Sequence, residues 1–399
     1  LSRPEPLSPE RVRQLVWLLL AIGVAARLVR YLLKFPLWCD EAYLSVNFLD
    51  RGYLGLTQPL EYRQLCPLGF LWVQLTLVKL LGFSEYSLRL VSLLCGLASL
   101  AVFRHLAGRL LQGTAMILAV GVFAVSYPCI RYSAEAKPYG ADVLVSLILL
   151  TLAVEWLRAP HQRGWLWAMA GLMPLAIGLS YPAVFVAGGI SVTVAFQLAR
   201  SRSGLRAWIA WAACSLMLVA SFGGYFLLST AHQSASCLEL ARRWWQNDFP
   251  PLGSPGKLLA WLWSAHAGDM LSHPFGGRNS GSTLTLLCCL AAVVALVRQR
   301  RFAVFLLCLM PFALNFAAAA VERYPYGGHV RIAMFLAPIV CLLAGLGMSL
   351  LVDRLAARRS GSAAPLIAVS AALAILACGS IVRDLGHPYR SDSDQQIRD

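Results

Sequence analysis

The sequence predicts an all-α, polytopic membrane protein with about eleven transmembrane helices, from its composition, its apolar runs and the placement of its basic residues. Of the 399 residues, 58% are hydrophobic and 13% are charged, and the mean hydropathy is +0.65. Soluble domains are roughly half apolar and a quarter charged, so this composition indicates a chain that folds in a lipid bilayer.

Apolar runs long enough to cross a bilayer recur along the whole chain. We place the spans at residues 14–33, 87–107, 113–130, 138–157, 164–180, 182–199, 207–229, 282–297, 302–320, 331–352 and 364–382. They show neither a solenoid repeat nor a low-complexity tract, so residues 1–399 are predicted to form one membrane domain. The start at Leu1 and the polar end at Ser391–Asp399 are compatible with a segment of a longer protein.

The apolar run Pro67–Gly82 decides the topology. It would reach only about 24 Å at the helical rise of about 1.5 Å per residue, less than the hydrocarbon core. If it lies in the interface without crossing, every short basic loop falls on one side, which the positive-inside rule makes cytoplasmic. If it crosses, the amino-terminal arginines contradict all later loops. We therefore predict a juxtamembrane helix here.

On this topology the outer side of the inner or plasma membrane holds two long loops, residues 34–86 and 230–281, and most of the acids. All but four of the 19 acidic residues lie on that side. Acidic residues contribute little to orientation, so this bias suggests that the chemistry is extracytoplasmic. The net charge of +15 comes from short clusters between apolar runs, which favours topology and lipid contact over nucleic-acid binding.

Two cysteines, Cys39 and Cys66, share the first outer loop. A disulfide between them would form only in an oxidising compartment, and sequence spacing does not fix the required geometry. The sequence therefore leaves open whether Cys39 and Cys66 form a disulfide or remain as two thiols.

Two adjacent carboxylates, Asp40 and Glu41, directly follow the first span. The pattern of apolar residues from Glu41 to Arg51 predicts a short interfacial helix with Asp40 at or near its N-cap. Capping is therefore one interpretation of Asp40. The adjacent Glu41 and the position at the membrane surface favour a catalytic role for Asp40 instead.

Two later outer segments combine cations with polar groups: Arg131–Tyr139, and Glu322–Arg331 with its Gly-Gly turn. Arginines beside the backbone amides of a glycine turn suit a phosphate oxyanion. Snorkelling side chains and an ordinary hairpin are the alternatives. Taken together, the three segments supply a carboxylate pair, a cluster of cations with one acid, and a basic glycine turn. An enzyme that transfers a group from a lipid phosphate needs these kinds of residue.

The long outer loop carries tryptophans and histidines. Interfacial tryptophans usually anchor a protein in the headgroup region, and the alternative here is a partly embedded lid over an acceptor or lipid groove. The histidines lack the spacing of metal ligands. The residues concerned are Arg242, Arg243, Trp244, Trp245, Trp261, Trp263, His232, His266 and His273.

At these residues the chain resembles the polyprenyl-phosphate-sugar glycosyltransferases of the GT-C fold, in the family 39-like group of protein O-mannosyltransferases and lipid A aminoarabinose transferase. The matching segments, in order along nearly the whole chain, are Asp40-Glu41, Cys66–Gly69, Gly82–Leu90, Arg131–Tyr139 and Tyr324–Arg331. Cys66 replaces the usual histidine and Lys137 stands where many members have arginine, which leaves sugar and acceptor preference open.

The resemblance implies displacement at the sugar anomeric carbon, with inversion and departure of a polyprenyl phosphate. Asp40 would be the base that takes the acceptor proton. Glu41 or Glu135 would orient the acceptor or share a divalent cation with Asp40. The donor would be a polyprenyl-phosphate sugar, and the acceptor a protein, lipid or glycan. The expected ligands of phosphate and sugar are Arg131, Lys137, Tyr139, Arg323, Tyr326, His329 and Arg331.

Two other functional classes remain as alternatives, a lipid or sugar transporter and a noncatalytic scaffold on the same fold. A transporter usually carries ionisable residues or broken helices near the bilayer midplane. In this sequence the charged residues of the spans, such as Arg27, Arg89 and Asp142, lie toward helix ends. The sequence therefore favours the enzyme.

Overall fold

The structure, a computed structural model, describes residues 8–233, 243–277, 280–358 and 363–386, and within these ranges it contains helices and no strand. Arg242 and the polar tail Ser391–Asp399 lie outside the described residues. The helices are α1 (Pro9–Leu32), α2 (Cys39–Ser45), α3 (Asn47–Asp50), α4 (Leu68–Leu81), α5 (Glu85–Leu110), α6 (Gly113–Ala124), α7 (Tyr127–Arg131), α8 (Tyr139–Arg158), α9 (Gly164–Leu179), α10 (Ala183–Arg200), α11 (Leu205–Tyr225), α12 (Pro255–Ala265), α13 (Gly281–Arg298), α14 (Phe302–Ala320), α15 (Ala337–Arg358) and α16 (Ala364–Gly386).

Local sequence signals account for several helix ends. Ser8 precedes α1, and its hydroxyl accepts a hydrogen bond from the Arg11 amide at 3.3 Å, as an N-cap serine does. Ser84 and Ser87 form a reciprocal capping box at the start of α5. The predicted span 113–130 is instead two helices, α6 and α7, which meet at an angle of 47°. Pro128 occupies the first turn of α7, where proline is tolerated because its missing N–H is not needed.

Nine helices of the described chain are long and apolar enough to cross a membrane, and the bent pair α6–α7 makes a tenth. The predicted number of eleven exceeds this count because α9 has only 16 residues. The all-α, polytopic membrane fold is confirmed, and the eleventh predicted span is a short helix.

The two ends of the bundle are chemically different. At one end, which we call the arginine face, the Arg158 guanidinium donates to the Arg109 carbonyl at 3.2 Å and Arg301 donates to the Leu110 carbonyl at 3.1 Å. At the other end, the site face, the carboxyl end of α1 meets the start of α5, because Lys34 pairs with Glu85 at 3.3 Å. The arginine clusters of the sequence thus mark one end of the helices.

The short helix α9 connects these two faces. It begins after Arg158 on the arginine face and ends before Tyr181, whose hydroxyl donates to the Cys66 carbonyl at 2.9 Å. The loop that carries Cys66 lies on the site face, because Gln64 accepts a hydrogen bond from Lys137, just before α8, at 2.6 Å. A helix of 16 residues therefore runs from one face to the other.

Helix α4 has both of its ends on the site face. Its amino-terminal end follows Cys66, and its carboxyl-terminal end at Gly82 leads directly to Glu85, which pairs with Lys34. Gly69 of α4 packs against the backbone of Gly178 in α9, so the helix rests on the end of the bundle. Both ends of α4 thus lie at the same end of the bundle, as a juxtamembrane helix requires.

Burial separates a central helix from peripheral ones. The segment Val330–Arg358, which contains α15, is 78% buried in its most apolar window, whereas the corresponding windows of Leu205–Gln233 and α16 are 22% buried. The peripheral helices expose large apolar side chains such as Leu216, Val219 and Ile375. Such exposure is expected where the bilayer is the solvent.

The position of α4 predicts how two engineered cysteines react with an impermeant thiol reagent. Glu61→Cys and Phe83→Cys flank α4, and both should be labelled from the same side of oriented vesicles because the helix does not cross. Arg300→Cys should be labelled from the opposite side. The background carries Cys39→Ser and Cys378→Ser, the exposed cysteines of the described chain, and Cys237→Ser, which lies outside the described residues. Labelling of residues 61 and 83 from opposite sides would show that α4 crosses.

Candidate active site

The side chain of Asp40 lies between two cations from distant parts of the chain. One carboxylate oxygen, Oδ1, is 3.4 Å from Lys137 Nζ, and the other, Oδ2, accepts a hydrogen bond from Arg331 Nη1 at 3.1 Å. Trp38 occupies the N-cap of α2, so Asp40 lies in the first helical turn and faces the cations instead of capping the helix. We call Asp40, Lys137 and Arg331 the Asp40 cluster.

Neighbouring side chains hold the two cations in place. The Arg331 guanidinium stacks over the Trp38 ring at 5.2 Å from its centroid, an attractive cation–π arrangement. Lys137 is 5% exposed and also donates to Gln64 at 2.6 Å. The Asp40 side chain is 24% exposed, so the cluster is reachable from outside the bundle and carries a formal excess of one positive charge.

The second acid, Glu41, forms a buried ion pair with Arg89 of α5. The side chains of Glu41 and Arg89 are 1% and 5% exposed, and two hydrogen bonds of 2.9 and 2.8 Å join them. Glu41 also accepts from the Ala136 amide at 2.7 Å, and Arg89 donates to the Phe35 carbonyl at 2.5 Å. This pair therefore joins α2 and α5 to the segment that carries Lys137.

Burial raises the pKa of Glu41 above its ordinary value and the nearby charge of Glu135 adds to this, while the charge and hydrogen bonds of Arg89 and the Ala136 amide oppose the rise. The guanidinium is thus required to hold the Glu41 carboxylate in its charged form inside the protein.

Arg131 and Glu135 form a further pair beside this one. Arg131 Nε donates to Glu135 at 3.0 Å, and Arg131 Nη1 donates to the Tyr127 hydroxyl at 3.3 Å. Tyr127 in turn donates to Asp384 of α16 at 2.7 Å, and Asp384 pairs with Arg30 of α1. The predicted phosphate ligand Arg131 and the predicted catalytic acid Glu135 therefore begin a polar chain that reaches the first and last helices.

The remaining predicted ligand of the second segment, Tyr139, begins α8. Its ring packs edge-on against Tyr132 with 5.1 Å between the centroids. Tyr139 thus lies two residues from Lys137 in the same segment.

The Gly-Gly turn of the third segment docks on the long loop. The Tyr326 amide donates to the Asp248 carbonyl at 3.0 Å, and the Tyr326 hydroxyl lies 3.1 Å from His266 Nε2. Gly328 lies so close to Asp248 that a Cβ would overlap the carboxylate, and Gly327 has a φ of +76°. Both positions require glycine, the first for space and the second for backbone conformation.

The predicted ligands of this segment therefore lie in different places. Arg331 reaches Asp40, and Tyr326 joins Asp248 and His266. The side chains of Arg323 and His329 are exposed. Tyr326 is therefore tied to the long loop, while Arg331 belongs to the Asp40 cluster.

The long loop packs into the bundle at the bend between α6 and α7. His273 is fully buried and its Nδ1 lies 2.7 Å from the Ser126 hydroxyl, while the Tyr127 amide donates to the Pro274 carbonyl at 3.0 Å. Burial lowers the pKa of His273 to about 4, so its ring is neutral at physiological pH. Trp261 packs on Tyr326, whereas Trp263 is exposed. One of these two tryptophans thus holds the loop in place and the other lies on the protein surface.

The residues at the site do not fit a divalent cation. Glu41 directs its oxygens at Arg89 and the Ala136 amide, and Asp40 directs its own at Lys137 and Arg331. In the part of the chain that the structure describes, no three His, Cys, Asp or Glu side chains group as metal ligands would. Cations of the protein thus occupy the positions beside Asp40 and Glu41 where the sequence had left a divalent cation as one possibility. No disulfide joins Cys39, which is exposed, to Cys66, which is buried.

Sequence reasoning did not assign Arg89, Gln64 or Asp248 to the site. Arg89 carried a usable signal, because an arginine in a span usually has a specific partner, and it lies at the outer end of α5. Gln64 lies in an irregular loop and Asp248 ends the short 3₁₀ helix Gln246–Asp248 of the long loop, and the sequence does not predict the course of either loop.

Comparison with known proteins finds similarity in structure. No protein-family model and no curated protein sequence matches the chain. ArnT from Cupriavidus metallidurans bound to undecaprenyl phosphate is 16% identical with a TM-score of 0.53, over 84% of this chain and 60% of ArnT. The Archaeoglobus fulgidus oligosaccharyltransferase, in complex with zinc and sulfate, is 12% identical with a TM-score of 0.57, over 91% of this chain and 53% of its own.

A third similar structure is the oligosaccharyltransferase AglB from Archaeoglobus fulgidus with an inhibitory peptide and a dolichol-phosphate, at 12% identity and a TM-score of 0.55. It matches 92% of this chain and 55% of AglB, so the chain spans between half and two thirds of the length of these structures. These similarities show that the chain has the GT-C fold, as the sequence predicted.

Removing one partner of the buried pair should destabilise the protein strongly. Glu41→Gln leaves the Arg89 charge buried without its counter-ion, which we expect to cost about 3 kcal/mol of unfolding free energy. Glu61→Gln is the matched control, because Glu61 also pairs with an arginine, Arg51, but is 63% exposed; its loss should stay below about 1 kcal/mol. Denaturant unfolding in detergent measures both. Equal losses would contradict a structural role for the Glu41–Arg89 pair.

Asp248 should make stability depend on pH. Burial, with the nearby Asp269 charge, raises its pKa from 3.8 to about 6. A raised carboxyl pKa means that the folded state binds the proton more tightly, so the stabilisation is complete below pH 4 and disappears as the pH rises through about 6. Asp248→Asn should therefore raise Tm over wild type much more at pH 7.5 than at pH 4.5, and least below pH 4. A difference independent of pH would exclude titration of Asp248 as the cause.

Proposed function

We propose that the protein transfers a sugar from a polyprenyl-phosphate-linked donor to an acceptor hydroxyl at the site face, with Asp40 as the base. The observation that supports this most strongly is the Asp40 cluster, in which a partly exposed carboxylate lies within 3.1–3.4 Å of two cations. A base and a phosphate-binding pair thus stand side by side. The ArnT and AglB structures contain undecaprenyl phosphate and a dolichol-phosphate, and their shared fold supports a similar donor here.

Charge balance suits this donor. A sugar phosphodiester carries one negative charge, which the excess positive charge of the Asp40 cluster would neutralise. When the sugar leaves, the phosphate gains a second negative charge, and Lys137 and Arg331 would stabilise it. Because they are already fixed by Gln64 and Trp38, little reorganisation accompanies the reaction.

The reaction is a single displacement. The acceptor oxygen forms a bond to the anomeric carbon while the bond from that carbon to the phosphate oxygen breaks, and its electron pair remains on the phosphate. The acceptor proton passes to the Asp40 carboxylate. Attack opposite the leaving group inverts the anomeric configuration.

The buried pairs are assigned as positioning groups. Glu41, held by Arg89, fixes the first turn of α2 and thereby the Asp40 side chain, and its bond to the Ala136 amide fixes the segment that ends in Lys137. Glu135 and Arg131 hold the same segment from the other side. Tyr139, Tyr326 and His329 remain candidate ligands of the sugar or acceptor. The exposed side chain of Arg323 is assigned no contact with the donor.

We place this chemistry on the extracytoplasmic side of the membrane. The arginine face carries the short basic loops, and the positive-inside rule makes that face cytoplasmic. The opposite face, with Asp40, would then meet a donor whose sugar is in water and whose tail is in lipid. A protein, a lipid or a glycan would serve as the acceptor.

Asp40→Asn should lower transfer by at least about 10²-fold, because general-base catalysis contributes roughly 10²–10⁴-fold. The assay reconstitutes the protein in vesicles with a panel of polyprenyl-phosphate sugars and follows release of polyprenyl phosphate from the sugar that wild type consumes. Asp50→Asn is the matched control, an exposed acid of the same loop. Gel filtration verifies that both variants stay folded. Retained turnover in Asp40→Asn would exclude Asp40 as the base.

A second comparison in the same assay tests the cations. Lys137→Gln and Arg331→Gln should each lower turnover by roughly 10²-fold, as loss of a group that stabilises developing charge does. Arg323→Gln should change it much less, since its side chain is exposed on the surface. Equal effects at all three positions would contradict the assignment of phosphate binding to Lys137 and Arg331.

A further inference from the structure

A second polar concavity lies at the opposite end of the bundle from Asp40. On the arginine face, a cleft of about 310 Å³ opens between the ends of α5, α8 and α10 and the start of α14. Five arginines line it, contributed by four separate segments of the chain. They are Arg109, Arg158, Arg200, Arg300 and Arg301.

Positive charge in this cleft exceeds what its surroundings neutralise. Arg109 pairs with Glu155 at 2.6 Å, and this acid is also 2.9 Å from His105. Arg158 and Arg301 donate to backbone carbonyls, which carry no full charge. Among the residues described as lining the cleft there is no Asp or Glu. Glu155 pairs with Arg109 alone among the five arginines, and the residues described as lining the cleft supply no acid for the other four.

Arg200 and Arg300 are the groups best placed to receive a ligand. Both side chains are exposed, and Arg200 lies over the Phe302 ring at 5.9 Å. Topology alone requires basic residues in the cytoplasmic loops, but it does not require them to converge on one cleft. Guanidinium groups present planar donor pairs that match phosphate oxygens, so their convergence indicates a phosphate ligand.

The rest of the cleft wall is apolar. Val154, Leu157 and Val304 line it, and Phe196, also in the wall, is 37% exposed on the surface of α10. A site with cations at the helix ends and apolar side chains beneath them matches a molecule with a phosphate headgroup and acyl chains. A free phosphate ion would use only the cationic part.

We propose that this cleft binds the phosphate of an anionic phospholipid, with Arg200 and Arg300 as its principal ligands. Basic pockets between transmembrane helices recognise lipid headgroups by the same combination of charge and apolar wall. The site is separate from the Asp40 cluster, so its occupancy can be measured without any transfer reaction.

The test counts lipids bound to the full chain in neutral detergent by native mass spectrometry, during titration with phosphatidylglycerol or phosphatidylcholine. Wild type should bind phosphatidylglycerol at least about 10-fold more tightly than phosphatidylcholine. Arg200→Gln with Arg300→Gln should weaken phosphatidylglycerol binding on the order of 30-fold, from about 1 kcal/mol for each basic residue near a lipid surface. Arg200→Lys with Arg300→Lys should recover only part of the affinity, because the ammonium keeps the charge but not the planar donor pair.

The matched control is Arg163→Gln with Arg206→Gln, which removes two exposed arginines from basic loops of the same topological side that do not line the cleft. It should bind phosphatidylglycerol as wild type does. Equal weakening in the control and the cleft variant would overturn the proposal, as would unchanged affinity in the cleft variant. Full displacement of phosphatidylglycerol by millimolar inorganic phosphate would overturn the lipid assignment and indicate a soluble anion. Thermal unfolding of each variant confirms that it is folded.

Discussion

The ion pair between Glu41 and Arg89 is the interaction on which the site face depends. It is almost completely buried, and its hydrogen bonds reach α5, the link after α1 and the segment before α8. Desolvating two charges is costly, and such a pair is tolerated only where its geometry satisfies both partners. The pair determines where the catalytic side chains lie. Glu41 accepts a hydrogen bond from the Ala136 amide, directly before Lys137, and Asp40 directly precedes Glu41.

The bilayer makes this arrangement necessary. Helices in lipid gain no hydrophobic stabilisation from burying apolar side chains against one another, so close packing and polar contacts determine how they associate. Close packing occurs where Gly345 of α15 meets the backbone of Ala119 in α6, and polar contacts occur at the site face. The bundle interior thus specifies the scaffold, while charged groups at its end specify where loops from residues 40, 137 and 331 converge.

Much of the scaffold was predictable from sequence, because the helices follow from apolar length and α4 from the alternation of basic loops. The number of candidate spans was less predictable, because α9 has only 16 residues and α6 bends into α7. For the site, Asp40, Lys137 and Arg331 were all named in advance. The sequence did not predict that these three side chains meet, that Arg89 is the partner of Glu41, or that Tyr326 docks on Asp248. These contacts depend on loop paths that hydropathy and charge patterns do not encode.

Asp384 gives the last helix an orientation that its apolar surface does not. Helix α16 is mostly exposed, and an apolar cylinder in lipid is nearly free to turn about its own axis. By binding both Arg30 and the Tyr127 hydroxyl, Asp384 fixes the rotational setting of α16 against α1 and α7. The carboxyl-terminal turn of the described chain thus completes the polar chain that continues through Arg131 to Glu135. Without that turn, Arg30 would lose its acidic partner and α16 the contact that fixes its rotation.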